Sequence, residues 1–301
     1  MQGSIRDVAA IGLVHHMLYP RCTMDENYHA ETLSRFVKRD DIDMFDFCLP
    51  YDEKLRAGLI PVVRSSGKPR CYATHLIPLR KLSYASVVPS EQAIMRILTK
   101  NQMAAAHAAG ATEFIFASGS DVPEDKRPAA RTAFREMLRW MCTEMKPLGI
   151  TALLEPFDRT FDKKFLFGPS IECIDMIRSL EPEVKNLGIE LDMAHVPLMD
   201  ETFEHAIRTC APYLKRVHLG NCVKKDPSNP WYGDNHPPMG IAGGEIDVPE
   251  LAGILRLLAD VGYIGSNRGA LIIEMQPFPG MSEDDTVKDN FARLDKAWAM
   301  A

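Results

Sequence analysis

Thr151-Ala152-Leu153-Leu154-Glu155 and Leu187-Gly188-Ile189-Glu190-Leu191-Asp192 are two short apolar runs that each end in an acid, with a helical pattern over 170–180 between them. Short runs rich in branched apolar residues read as strands, and strand, helix, strand is the repeating unit of a parallel sheet. The same alternation extends outward from this pair to both ends of the chain. Strands are predicted over 8–14, 42–49, 72–77, 113–117, 151–155, 187–192, 215–219 and 270–274. Helices are predicted over 28–38, 52–63, 90–109, 124–145, 170–180, 203–213, 248–261 and 283–300. Ser90 opens the third helix and Gly110 stands just past its end, as helix caps do.

Eight strands, each followed by a helix, with crossovers long enough for parallel pairing, predict an α/β protein with a (β/α)8 TIM barrel, a single domain over 1–301. No G-x-G-x-x-G follows the first strand, which weighs against a dinucleotide-binding open sheet. Two loops are long, 158–169 after the fifth strand and 221–247 after the seventh. Loops that follow barrel strands sit on the face that carries chemistry, so these read as lids or substrate walls.

The chain has 301 residues, 46% hydrophobic and 25% charged, a balance that excludes disorder, collagen and coiled coil. Its net charge of -6 argues against nucleic acid or an anionic membrane as the partner. Seven scattered cysteines without a C-x-x-C read as reduced thiols. Residues 1–10 carry no basic segment followed by an apolar run, and no stretch reaches the ~18 apolar residues of a membrane span. A cytoplasmic, unanchored protein is expected.

The strand ends hold the chemistry. Strand five closes on Glu155, strand six on Asp192, strand seven on His218 and strand eight on Glu274. Each acid alone reads equally well as a helix cap or a loop residue. Four consecutive strands converging on one side of the mouth bring these side chains to a common point, where a shared cation would compensate buried carboxylates that burial alone would penalise. Three carboxylates and one imidazole suit Mn²⁺ best, with Mg²⁺ or Co²⁺ as alternatives.

The segments Leu154-Glu155-Pro156-Phe157-Asp158, Leu191-Asp192-Met193-Ala194-His195, Val217-His218-Leu219-Gly220-Asn221 and Ile273-Glu274-Met275 resemble the metal-binding strand ends of the xylose isomerase-like TIM barrel superfamily, in particular its D-tagatose 3-epimerase-like members. That resemblance implies one divalent metal held by Glu155, Asp192, His218 and Glu274. It implies further that Glu155 and Glu274 form the catalytic acid/base pair, and that His195 binds a substrate oxygen. The reaction implied is sugar isomerisation or epimerisation, in which a proton leaves beside a carbonyl and a metal-stabilised enediolate forms.

The chain also departs from those epimerases. Where they carry an Arg beyond the His ligand it has Lys224, and where they carry a second Glu beyond the first ligand it has Phe161. The runs 158–169 and 232–237 resemble instead the catalytic subunit of C-glycoside deglycosidases. That implies an alternative, a lyase that abstracts the C2 proton of a 3-keto glycoside and eliminates the aglycone. His16, His75 and His236, placed after the first, third and seventh strands, are candidate substrate contacts, as is Lys224. Trp231 and Tyr232 are a candidate apolar wall. The expected partners are a small carbohydrate or glycoside and further copies of the chain, or a small second subunit under the lyase reading. An apurinic endonuclease-like phosphodiesterase is the third reading, disfavoured by the acidic balance, and a non-catalytic barrel is the fourth.

Overall fold

The computed structural model describes residues 3–74 and 82–301. Eight strands close into a parallel barrel in sequence order: β1 (Ala9–Val14), β2 (Met44–Phe47), β3 (Arg70–Ala73), β4 (Glu113–Phe116), β5 (Thr151–Leu154), β6 (Leu187–Asp192), β7 (Leu214–Leu219) and β8 (Gly269–Ile273). The ring closes where β1 pairs with β8, Leu13 opposite Ile273. Outside it lie α1 (Glu26–Phe36), α2 (Glu53–Ser65), α3 (Pro89–Ala108), α4 (Arg127–Met145), α5 (Ser170–Leu180), α6 (Phe203–Cys210), α7 (Val248–Asp260) and α8 (Glu283–Met300).

Strand side chains alternate between two buried environments. Phe45, Phe47, Tyr72, Phe114, Phe116, Leu154, Leu191, Val217 and Leu271 point outward and join the core shared with the helices. The other parity fills the barrel. Cys71, Ile115 and Leu153 form one small apolar cluster inside it, and Val14, Ala270 and Ile272 form another. The same inward parity also carries polar side chains, Asp46, Glu190, Asp192, Arg216 and His218, all buried.

The differences from the sequence reading are local. α3 begins at Pro89, whose missing N–H suits the first helical position, and Val88 caps it without a side-chain bond, so Ser90 is inside the helix rather than its cap. Gly110 does take the left-handed conformation after the helix, at φ 80°. The third strand runs Arg70–Ala73, two residues earlier than expected, and the remainder of its predicted span from 75 onward lies outside the described residues. The sixth helix tightens to a 3₁₀ turn over Ala211–Tyr213, where Pro212 cannot donate to the helical ladder. All seven cysteines are buried and unpaired. Among the described residues no helix is long and apolar enough to cross a membrane.

Candidate active site

β5, β6, β7 and β8 deliver the four predicted ligands to the C-terminal mouth of the barrel. A cavity of about 190 Å³ opens there, lined by Glu155, His195, His218, Asp234, His236 and Glu274 among others. Oxygens of Glu155, Asp192 and Glu274 lie within 4.8 Å of one another. His218 joins them through Nδ1, which contacts Glu274 Oε2, and groups within the same limit with Glu155 and Glu190. All of these side chains are buried, with Glu155 and Glu274 only 7% and 8% exposed.

Asp192 is aimed by backbone. One carboxylate oxygen accepts the N–H groups of Ala194 at 2.9 Å and Gly220 at 3.2 Å. Gly220 is required at this point, since a Cβ there would stand 2.5 Å from the same oxygen. The second oxygen of Asp192 and Glu190 Oε2 are buried with no hydrogen-bond partner among the described residues, with His195 Nε2 standing 3.3 Å from the former. Orphaned buried acceptors of this kind need a compensating charge. The electrostatics agree. Burial, reinforced by Glu274 and Asp192, pushes the Glu155 carboxyl up to about 8. Burial would raise Glu274 too, but His218 and His236 beside it more than offset that and hold it below the usual carboxylate range. A divalent cation would fit this donor chemistry: Glu155, Asp192 and Glu274 form one group that could hold it, and Glu155, Glu190 and His218 form a second.

A second polar group borders the first. His195 Nδ1 lies 3.0 Å from the Pro156 carbonyl and His236 Nδ1 lies 3.1 Å from the Glu274 carbonyl, so both Nδ1 atoms donate. Their Nε2 atoms turn inward: that of His195 lies 3.3 Å from both Asp192 and Asp234, and that of His236 lies 2.9 Å from Asp234. Burial would lower both imidazoles, but Asp234 and the neighbouring acids outweigh it, raising His195 well above its ordinary value and His236 to about 9. Lys163 completes the group at 2.8 Å from Asp234. Asp158 organises the loop that carries Lys163 by accepting the N–H groups of Phe161, Asp162 and Lys163 within 2.9 Å. Both long loops therefore wall the cavity, as their position after β5 and β7 suggested.

Of the predicted substrate contacts, His16, His195 and His236 reach the cavity, and His75 lies outside the described residues. Lys224 does not reach it. Its ammonium is bound by the Pro197 carbonyl at 2.5 Å and by Asp200, along an outer groove that Phe161 also lines. Nor do Trp231 and Tyr232 wall the cavity: Tyr232 packs on Phe161 at a ring separation of 5.2 Å. The sequence reading missed Asp46, Lys163, Glu190, Arg216 and Asp234. For Glu190 and Arg216 a signal existed, because each stands two residues before a predicted ligand and shares its inward face. Lys163 and Asp234 sit in loops, where no periodicity points to them.

Among proteins of established activity, the chain is 26% identical over 149 residues to D-psicose 3-epimerase of Ruminiclostridium cellulolyticum, a match over 48% of this chain and 41% of that protein's length. A D-tagatose 3-epimerase-like protein superposes with a TM-score of 0.71 at 14% identity, over 97% of this chain and 99% of the other. The 3-keto-D-glucoside 4-epimerase of E. coli does so with a TM-score of 0.65 at 15% identity, over 97% and 99%. At these identities the structural likeness establishes the shared fold. The family model described as Xylose isomerase-like TIM barrel matches residues 73–297, and with the closed barrel and its strand-end site this places the chain in that family.

Proposed function

We propose that the protein is a divalent-metal-dependent sugar epimerase or isomerase in which Glu155 and Glu274 exchange a proton with the carbon beside a carbonyl. The observation that carries this reading is the convergence of Glu155, Asp192 and Glu274 within 4.8 Å, with the first and last bordering the cavity. A bound cation, Mn²⁺ by preference, would stabilise the negative charge that develops on the substrate oxygen. Glu155 and Glu274 leave the barrel on β5 and β8, so a carbon bound between them meets one carboxyl on each side, and one can remove a proton while the other returns it. His195 and His236, pinned through Nδ1, hold their second nitrogens toward the interior beside Asp234 and orient substrate hydroxyls. The two long loops exclude water.

The test is incubation of Mn²⁺-loaded protein with a panel of ketoses in D₂O. Deuterium entering at the carbon beside the carbonyl, lost in Glu155→Gln and Glu274→Gln, supports the reading. Absence of exchange in every ketose, with aglycone released from a 3-oxo glucoside, would replace it with the lyase.

A further inference from the structure

Asp46 belongs to no part of the mechanism above, yet it is fully buried in the barrel between two phenylalanines of β2. It does not line the cavity. Arg216, also fully buried, grips it: Nε lies 2.9 Å from each carboxylate oxygen and Nη2 lies 2.5 Å from Oδ1. The other arm of the guanidinium reaches Glu113 on β4. Two carboxylates thus face one guanidinium, which leaves a surplus negative charge. Asp46 also meets His218 Nε2, 2.8 Å from Oδ2. β2 and β7 are not neighbours in the ring, so this contact crosses the barrel interior.

An ionised carboxylate can only accept hydrogen bonds. With Asp46 ionised by its bidentate arginine, Nε2 of His218 carries a proton; in the metal-free protein Nδ1, against Glu274, carries one as well, and a cation that displaced the Nδ1 proton would leave the lone pair there. Nδ1 is the nitrogen that faces the acids, contacting Glu274 and lying 3.5 Å from Glu190. We propose that Asp46, locked by Arg216, is the positioning residue of the metal centre, holding His218 with its proton on Nε2 so that Nδ1 is presented to the cation. The inference rests on the reading of His218 as a metal ligand. Groups that receive the second N–H of a ligating histidine set its orientation and basicity, and their loss weakens metal binding about 10–100-fold.

Asp46→Asn is the discriminating variant, because its amide must turn its oxygen to Arg216 and its NH₂ to His218, which forces the proton onto Nδ1. Mn²⁺ affinity is read by titration calorimetry. The histidine nitrogens of ¹⁵N-labelled, ¹¹³Cd²⁺-loaded wild-type protein are read by NMR, with the His218 signal identified by its absence from His218→Gln. The expected result is cadmium coupling to Nδ1, a slowly exchanging proton on Nε2, and a 10–100-fold loss of Mn²⁺ affinity in Asp46→Asn whose metal-free thermal unfolding matches wild type. Coupling to Nε2 overturns the proposal, and so does wild-type Mn²⁺ affinity in the variant. If Asp46→Asn does not fold, the wild-type coupling decides alone. Wild-type protein that takes up neither ion overturns the metal reading together with this inference, whereas uptake through Nε2 overturns this inference only.

Discussion

Lys163 and Asp234 stand 71 residues apart, on the loops that follow β5 and β7, and their side chains meet at 2.8 Å in the cavity wall, 10% and 1% exposed. Lys163 also donates to the Asp234 carbonyl at 2.9 Å, and Asp162 accepts the Asp234 N–H at the same distance. The pair ties the two long loops together over the site. Lys163→Met should take one of three cationic neighbours from the buried Asp234, leaving His195 and His236, lower stability by less than the about 3–5 kcal/mol of a fully broken buried pair, and raise KM more than it lowers kcat. Urea unfolding and steady-state kinetics check this.

Asp234 gives the stability a pH signature. Burial would raise its carboxyl, but His195, His236 and Lys163 more than offset that and hold it well below the usual aspartate range. A carboxyl depressed by folding stabilises the native state fully above its unfolded value, about 3.9, and that contribution is lost as pH falls through the folded value. Wild type should therefore be more stable than Asp234→Asn at neutral pH, and the gap should close as pH drops below about 4. A gap that stays constant from pH 7 to pH 2 would refute the assignment.

Metal-free protein should be soft at the mouth, because Glu155, Glu190, Asp192 and Glu274 crowd one another there. Mn²⁺ at a hundredfold excess over its Kd should add about 2.7 kcal/mol of stability, reversed by a chelator. Glu155→Gln should lower kcat at least about 10²-fold and shrink the Mn²⁺-induced rise in Tm, while raising the Tm of the metal-free protein by relieving the crowding. Differential scanning calorimetry with and without Mn²⁺ measures all three terms that bear on stability.

Gly220→Ala would place a methyl 2.5 Å from Asp192 Oδ1, 2.9 Å from the Ala194 Cβ and 3.0 Å from His236 Nδ1. The clash should cost about 1–3 kcal/mol and weaken Mn²⁺ binding by displacing Asp192. Unchanged affinity in calorimetric titration would show that Asp192 does not depend on this packing.

Lys224→Ala should be close to silent. Its ammonium serves Pro197 and Asp200 at the rim, a partly exposed ion pair worth at most about 1 kcal/mol. A large loss of kcat/KM would mean that the outer groove takes part in substrate binding.

Much of this was legible in the chain itself. The eight strand–helix units, the barrel and the polar residues at four strand ends follow from local pattern, since a strand buried on both faces must be apolar except where function places a polar group. Glu155 and Glu274 could be placed at the mouth because each ends an apolar run, and Asp192 and His218 because they close adjacent strands. The loop residues were read less well. Lys224, the counterpart of an epimerase arginine, and Trp231 and Tyr232, a candidate apolar wall, do not line the cavity, because which way a loop side chain turns is set by what it packs against.

What the tertiary structure alone decided is the set of contacts that cross the barrel or join separate loops. Asp46 meets Arg216 and His218 from 170 and 172 residues away, and Lys163 meets Asp234 across 71. No periodicity records such pairs, because each partner satisfies only its own strand or loop locally. They become visible when ring closure brings non-adjacent strands within hydrogen-bond reach in a dry interior, where every buried charge must find its counterpart.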